Sequence, residues 1–263
     1  MMDFDALLTL SENGKLFANP RRVALLKAVR QTGSISKGAK LAGISYKAAY
    51  DAIKDMNTRS ETPLITSEKG GKGGGGASLT HFGQRIIQMY DLLDTIQNMG
   101  LQALNDKDAP LHSLLGVMAK FSLQTSARNQ FFGTISGIEN HALHDRIFIS
   151  LQNGQQVIAT ITHGSTMRLQ LTIGKDVVAL VKGPAIQVYC EPPEDQQLDN
   201  QLQGTVLDIQ HGDSSAEVSV KLEGNDEICA LIHKDENDFN RLGLGSKALA
   251  CFSSSQVIIA TLC

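Results

Sequence analysis

Residues 33–57 read GSISKGAKLAGISYKAAYDAIKDMN, and this stretch decides the fold of the amino-terminal part. Ser34 stands where a serine hydroxyl can cap a short helix carrying Ile35, Ala39 and Ala42. Gly43 supplies the positive φ of a tight turn, and Ser45 caps a longer helix running through Asn57. Alanines at 39, 42, 48 and 49 are small enough for two helices to cross closely. Two helices about a glycine turn are the pattern of a helix-turn-helix. The exposed half of its second helix offers Ser45, Tyr46, Lys47 and Tyr50, with Lys54 one turn further on, and Ser34 at the start of the first.

The flanks extend the pattern. Upstream, PRRVALLKAVRQ (20–31) opens on Pro20, suited to a first helical turn, and sets Val23, Leu25, Leu26 and Val29 on one side. Downstream, PLITSEKGGKGGGGASLT (63–80) reads as two short strands around a tip in which residues 70–76 are all glycine except Lys72. A phosphate-cradling P-loop needs Gly-Lys-Ser/Thr opening a helix, and here Lys72 is followed by Gly73 and then by a strand. A basic wing bearing Lys69 and Lys72, reaching along a DNA backbone, fits instead. The next segment, 81–104, repeats apolar residues at Phe82, Ile86, Met89, Leu93 and Ile96, a heptad seam that predicts a dimerisation helix.

Charge follows the same division. The 263 residues carry a formal net charge of −3, which taken whole argues mildly against nucleic acid. Residues 20–85, however, hold twelve Lys and Arg against four Asp and Glu, a net +8, so the rest carries −11. A basic module joined to an acidic one is the electrostatic outline of a nucleic-acid reader with an appended sensor. No run of 18 apolar residues occurs, and the acidic start MMDFDALLTL lacks the positive charge of a signal peptide, so a cytoplasmic protein is expected. The four cysteines (190, 229, 251 and 263) form no Cys-x-x-Cys pair, and His141 and His144 lie in a polar stretch without further ligands. No metal site is expected. No nucleophile–base pair, paired carboxylates or cofactor loop stands at a catalytic spacing, so no enzyme is expected either.

The carboxy-terminal part repeats itself at an offset of 71 residues: NQFFGTI (129–135) matches NQLQGTV (200–206), and IGK (173–175) matches LGS (244–246). Each copy reads as short strands, at 130–138, 145–152, 155–162 and 177–182 in the first and at 201–210, 215–223, 227–232 and 247–252 in the second. A short helix, 165–171 in the first copy, follows the third strand, and each copy is expected to be a small, partly open OB-like barrel. The fold class is therefore α+β and multidomain: a winged helix-turn-helix with a long helix over 1–110, then tandem barrels over 122–192 and 195–263.

The copies differ at one cluster. Ser126, Arg128, Thr162, Ser165, Lys182 and Gly183 of the first become Gln197, Asp199, His233, Glu236, Ser253 and Ser254 of the second. The first set contains two cations, three hydroxyls and a backbone N–H, all donors suited to a small dianion. Phosphate, which keeps a proton at neutral pH, wants an acceptor as well; sulfate, molybdate and tungstate do not. On spacing alone Arg128 and Lys182 are equally readable as surface charges.

SARNQFFGTI (126–135), the tandem repeat, the basic winged helix-turn-helix and the GGKGGGG tip together resemble the molybdate-responsive transcription factors of the ModE family, over nearly the whole chain. The resemblance implies a homodimer that binds molybdate, or tungstate, at subunit interfaces and palindromic double-stranded operator DNA. It implies repression of a molybdate uptake operon and activation of molybdoenzyme genes. The family's anion ligands carry over to Ser126, Arg128, Thr162, Ser165, Lys182 and the N–H of Gly183. His163 departs from the small or neutral residue expected after Thr162. A molybdate storage protein without a DNA role is the alternative, against which the +8 segment argues.

Overall fold

The computed structural model describes residues 4–67, 76–107, 109–191, 198–223, 226–233 and 241–262. The chain divides into two compact units, Met1–Asn105 and Asp106–Cys263.

The first unit runs β1 (Leu10–Glu12), β2 (Lys15–Ala18), α1 (Pro20–Thr32), α2 (Ile35–Leu41), α3 (Tyr46–Arg59), β3 (Ile65–Ser67), β4 (Ala77–Leu79) and α4 (His81–Asn105). Local chemistry sets each boundary. The Asn19 side chain accepts from the Arg22 N–H at 2.9 Å to cap α1, which has Pro20 in its first turn and ends at Gly33, φ 62°. Ser34 caps α2 by accepting from the Lys37 N–H, and Ser45 caps α3 by accepting from the Ala48 N–H at 3.2 Å. Gly43 takes φ 70° in the turn between them, a conformation that strains any residue with a Cβ.

Leu25, Leu26, Val29, Ala39, Ala49, Ile53, Met56, Leu64 and Ile87 pack as the core beneath the three helices and the wing strands. Of the four alanines, Ala39 and Ala49 are buried in this core and Ala42 packs against it, whereas Ala48 is exposed. Gly38 adds a close approach of α2 to α1, where a Cβ would come within 2.7 Å of the Val29 side chain. The β1–β2 hairpin has no counterpart in the sequence reading. Strands of three and four residues are too short to show alternation, and the hairpin is fixed from outside by the Arg22 guanidinium, which donates to the Leu16 and Phe17 carbonyls at 2.9 and 3.0 Å.

The heptad seam on α4 divides in two. Ile86 is buried in the core of the first unit with Phe82 packed against it, while Met89 and Ile96 are both 41% exposed and neighbouring Leu92 is 61% exposed.

The second unit opens with α5 (Leu114–Phe121). Then come β5 (Asn129–Asn140), β6 (His144–Leu151), β7 (Gln156–Thr162), α6 (His163–Arg168), β8 (Asp176–Val181) and β9 (Gln187–Tyr189). The second copy supplies β10 (Asn200–His211), β11 (Ser215–Leu222), β12 (Glu227–His233), β13 (Lys247–Phe252) and β14 (Ile258–Ala260). The repeat survives in backbone detail at the same offset. Gly133 and Gly204 each lie where a Cβ would meet a carbonyl oxygen of the neighbouring strand, at 2.6 and 2.5 Å, and Gly174 and Gly245 both have positive φ.

The short strands that the sequence reading omitted join the copies. The two antiparallel sheets are ordered β14-β8-β5-β6-β7 and β12-β11-β10-β13-β9, so each copy lends its last strand to the other's sheet. One continuous core, from Phe131, Ile135 and Val157 to Val218, Ile228 and Phe252, spans both copies. Two buried asparagines latch them symmetrically. Asn129 accepts from the Cys229 N–H at 2.7 Å and donates to the Cys229 carbonyl at 3.0 Å; Asn200 does the same to Ile158 at 2.6 and 2.9 Å.

Asn200→Ala would strip both groups of Ile158 of these partners. A fully buried unpaired group costs about 1–3 kcal/mol, and because Ile158 is half-buried the two together are expected to cost about 2–4 kcal/mol. Urea unfolding of the second unit checks this, and an unshifted midpoint would remove the latch from the account.

Candidate DNA interface and anion site

On α3, Ala49, Ile53 and Met56 face the core. Helical periodicity turns Ser45, Tyr46, Lys47, Tyr50 and Lys54 outward, and all five are exposed. The Tyr46 and Tyr50 rings lie 6.1 Å apart and tilted, a pair of aromatic faces on that surface. Ser34 is half-buried as the cap of α2. Lys69 and Lys72 lie outside the described residues.

Not all of the +8 is available to a partner. Asp55 pairs with Arg22 at 2.8 Å and Arg59 at 2.7 Å, and the Arg59 guanidinium, joined by Arg22, holds its carboxyl below the usual range. Lys27 pairs with Asp91 at 2.6 Å. Among the described residues, Arg21, Arg30, Lys37, Lys40, Lys47, Lys54 and Arg85 enter no ion pair. Arg22 and Arg59 thus brace the unit from within, and the basic surface is carried by α2, α3 and the exposed ends of α1.

The six candidate anion residues form two groups. Thr162 and Ser165 are one: Thr162 caps α6, its hydroxyl accepts from the Ser165 N–H at 3.2 Å, and the two hydroxyls are 2.9 Å apart. The helix therefore begins at His163, not at Ser165 as the sequence reading expected, because Thr162 rather than Ser165 is the capping residue. Arg128, Lys182 and Gly183 are the other group. Arg128 and Lys182 flank the paired residues Asn129 and Val181 at the start of β5 and the end of β8, and Ser126 lies two residues before Arg128, exposed. Strand register separates the groups. Thr162 is paired to His144, beside Asp145, which is level with Asn140 at the far end of the 12-residue β5. Among the described residues, no hydrogen bond or ion pair joins the groups.

Each group meets a different part of the second copy. A Cβ on Gly183 would lie 3.1 Å from the Cys229 carbonyl of β12, and Arg128 bonds Glu217 of β11 at 2.5 Å. Near the other group, Thr160 of β7 shares a 2.7 Å hydroxyl contact with Ser254, and Arg146 of β6 pairs with Asp199 at 3.2 Å. Adding 71 to 128 and 146 gives 199 and 217, so Arg128–Glu217 and Asp199–Arg146 are the same contact with its signs exchanged. The loss of positive charge at Asp199 is thereby explained. Sequence reasoning saw the reversal at 199 but missed the compensating one at 217, which the same offset makes readable.

One further residue near the site escaped notice. Asp145 is fully buried, with its carboxylate 3.0 Å from His163 Nδ1 and 3.2 Å from the Asn140 side-chain amide. The neighbouring Thr166 hydroxyl, with smaller help from His163, outweighs burial and holds its carboxyl below the usual range. His141 and His144 stack at 4.8 Å. Among the described residues, no three or more His, Cys, Asp or Glu gather as a metal site. Burial pushes the Cys229 and Cys251 thiols up to about 11, away from reactive thiolates. A cleft of about 510 Å³ lined by Leu207, Lys221, Lys247 and Leu249 contains none of the candidate anion residues. No described helix is long and apolar enough to cross a membrane.

Comparison with known proteins agrees with this division of labour. A model described as "Bacterial regulatory helix-turn-helix protein, lysR family" matches residues 20–84, and the TOBE domain model matches twice, at 125–188 and 197–259. A "Transcriptional regulator ModE" of Yersinia pestis is 49% identical over 263 residues, all of both chains. The "DNA-binding transcriptional dual regulator ModE" of Escherichia coli (strain K12) is 46% identical over 264 residues, again with full coverage of both. A solved structure of the cytoplasmic molybdate-binding protein ModG, with molybdate bound, is 34% identical with a TM-score of 0.51 and covers 53% of this chain and all of its own. With a helix-turn-helix reader, two TOBE copies and full-length relatives of this identity, the chain belongs to the ModE family of transcriptional regulators.

Proposed function

We propose that the protein is a homodimer in which molybdate controls binding to a palindromic operator. Residues 1–110 read the DNA, and the copies at 122–192 and 195–263 sense the anion. One observation carries the reading: the first copy holds two cations, three hydroxyls and an N–H, with no carboxylate among them, in two groups that do not meet within a chain. A second chain placing its Arg128, Lys182, Gly183 and Ser126 against Thr162 and Ser165 would complete the site, giving two anions per dimer. Guanidinium, ammonium, hydroxyl and N–H donors suit a fully deprotonated dianion, and the likeness to molybdate-bound ModG favours molybdate. Tungstate matches the same donors. The exposed Met89, Leu92 and Ile96 of α4 supply an apolar face for the dimer.

On the DNA side, the dimer sets two copies of α3 in successive major grooves. Ser45, Tyr46, Lys47 and Tyr50 reach base edges or adjoining phosphates, and Ser34, Lys54, Lys69 and Lys72 contact the backbone. Acting on operators, the protein works in the cytoplasm, repressing molybdate uptake and activating molybdoenzyme genes. No catalytic step is assigned to it.

Calorimetric titration tests the sensor. Molybdate and tungstate are expected to bind at one anion per chain and phosphate not to bind. Equal binding of phosphate would overturn the argument for a fully deprotonated anion. For the reader, Lys47→Ala is expected to weaken operator binding about 10–100-fold, from loss of a contact worth about 1–3 kcal/mol in each half-site. An unaltered footprint would remove α3 from the interface.

A further inference from the structure

We propose that Asp145 is the positioning residue of the anion site, holding α6 so that Thr162 and Ser165 present their hydroxyls outward. The inference rests on the anion-sensing reading above and adds a residue to it.

Burying an ionised carboxylate is costly unless it does something an apolar residue could not. The fold itself does not need this one. The equivalent position of the second copy is Ala216, which sits on the same strand pairing, β11 with β12, and is equally buried at 1%. The copy that retains the donor set retains the carboxylate; the copy that has lost the donors has alanine.

Its partners say what it does. His163, the first residue of α6, places its Nδ1 3.0 Å from the Asp145 carboxylate, and the buried Thr166 follows three residues on along the helix. Thr162 and Ser165 are likewise three apart and lie on a different face, hydroxyl to hydroxyl at 2.9 Å. A six-residue helix has little intrinsic stability, so its rotation is set by such anchors. The Asn140 amide holds the carboxylate from the β5 side at 3.2 Å, so β5, β6 and α6 are tied at one point. His163, the residue that departs from the family pattern, becomes the tether of α6.

The test compares molybdate affinity by calorimetry in full-length Asp145→Ala, Asp145→Asn, His163→Ala and Arg128→Ala proteins, with urea midpoints measured alongside. Asp145→Ala is expected to weaken binding at least about tenfold. Asp145→Asn, which keeps an accepting oxygen for α6, should restore affinity to within about threefold of the parent, and His163→Ala should fall between them. Unchanged affinity in Asp145→Ala or His163→Ala, with Arg128→Ala defective, would overturn the positioning role and leave the site standing. Equal loss in the Ala and Asn variants would also overturn it. Unchanged affinity in Arg128→Ala would sink the site itself. Should Asp145→Ala not fold, His163→Ala and Asp145→Asn decide the question.

Discussion

Arg128→Ala is expected to weaken molybdate binding by about 10–150-fold, with the operator affinity of the anion-free protein unchanged, and Lys182→Ala to behave alike. Each side chain supplies charge-assisted hydrogen bonds worth about 1.5–3 kcal/mol to a desolvated dianion. Arg128 has a competing partner in Glu217, but both side chains are partly exposed, at 61% and 31%, and such a pair contributes only about 0–1 kcal/mol. The dianion therefore wins the guanidinium. Calorimetry on both variants checks this, and affinity equal to the parent's would refute the site. The reversed contact, Arg146–Asp199, offers an internal control: Arg146→Ala removes a first-copy cation that pairs with the second copy, without touching the donor set.

Gly83→Ala is the second large effect, and it acts on the other unit. A Cβ at Gly83 would lie 2.3 Å from the Leu64 carbonyl oxygen and 3.0 Å from its carbon, a backbone obstacle that no rotamer change relieves. Accommodating it means lifting α4 off Leu64, the residue that leads into β3 of the wing. Overpacking of this kind costs about 1–3 kcal/mol or more. Operator binding should be lost or strongly weakened with or without molybdate, while anion binding by the second unit persists. Unchanged DNA affinity would show that α4 tolerates displacement from the wing.

The contrast between Gly43 and Gly38 shows which parts of the fold were legible. Gly43, Ser34 and Ser45 act through their own neighbours, so residue type and spacing announce the turn and both caps. Gly38 acts across a helix crossing, against Val29, and nothing local distinguishes it from a weak helix former. The same division holds in the repeats. The main strands appear as apolar runs at one offset, but β9 and β14 have three residues each and are defined by pairing with the other copy. Their exchange is invisible to pattern. At the site, loss of the donor set was readable by offset, whereas Asp145 looked like one acid in a polar stretch, and its burial arises only when α6 folds over it.

Coupling between the anion and the operator is the central claim, and operator binding followed by fluorescence anisotropy with and without saturating molybdate tests it most directly. An effector that favours the DNA-binding arrangement by about 1–3 kcal/mol tightens operator affinity about 5–150-fold, and linkage requires operator DNA to tighten molybdate binding by the same factor. The account predicts both shifts, equal in size and absent in Arg128→Ala. Operator affinity that is independent of molybdate in the parent protein would contradict it.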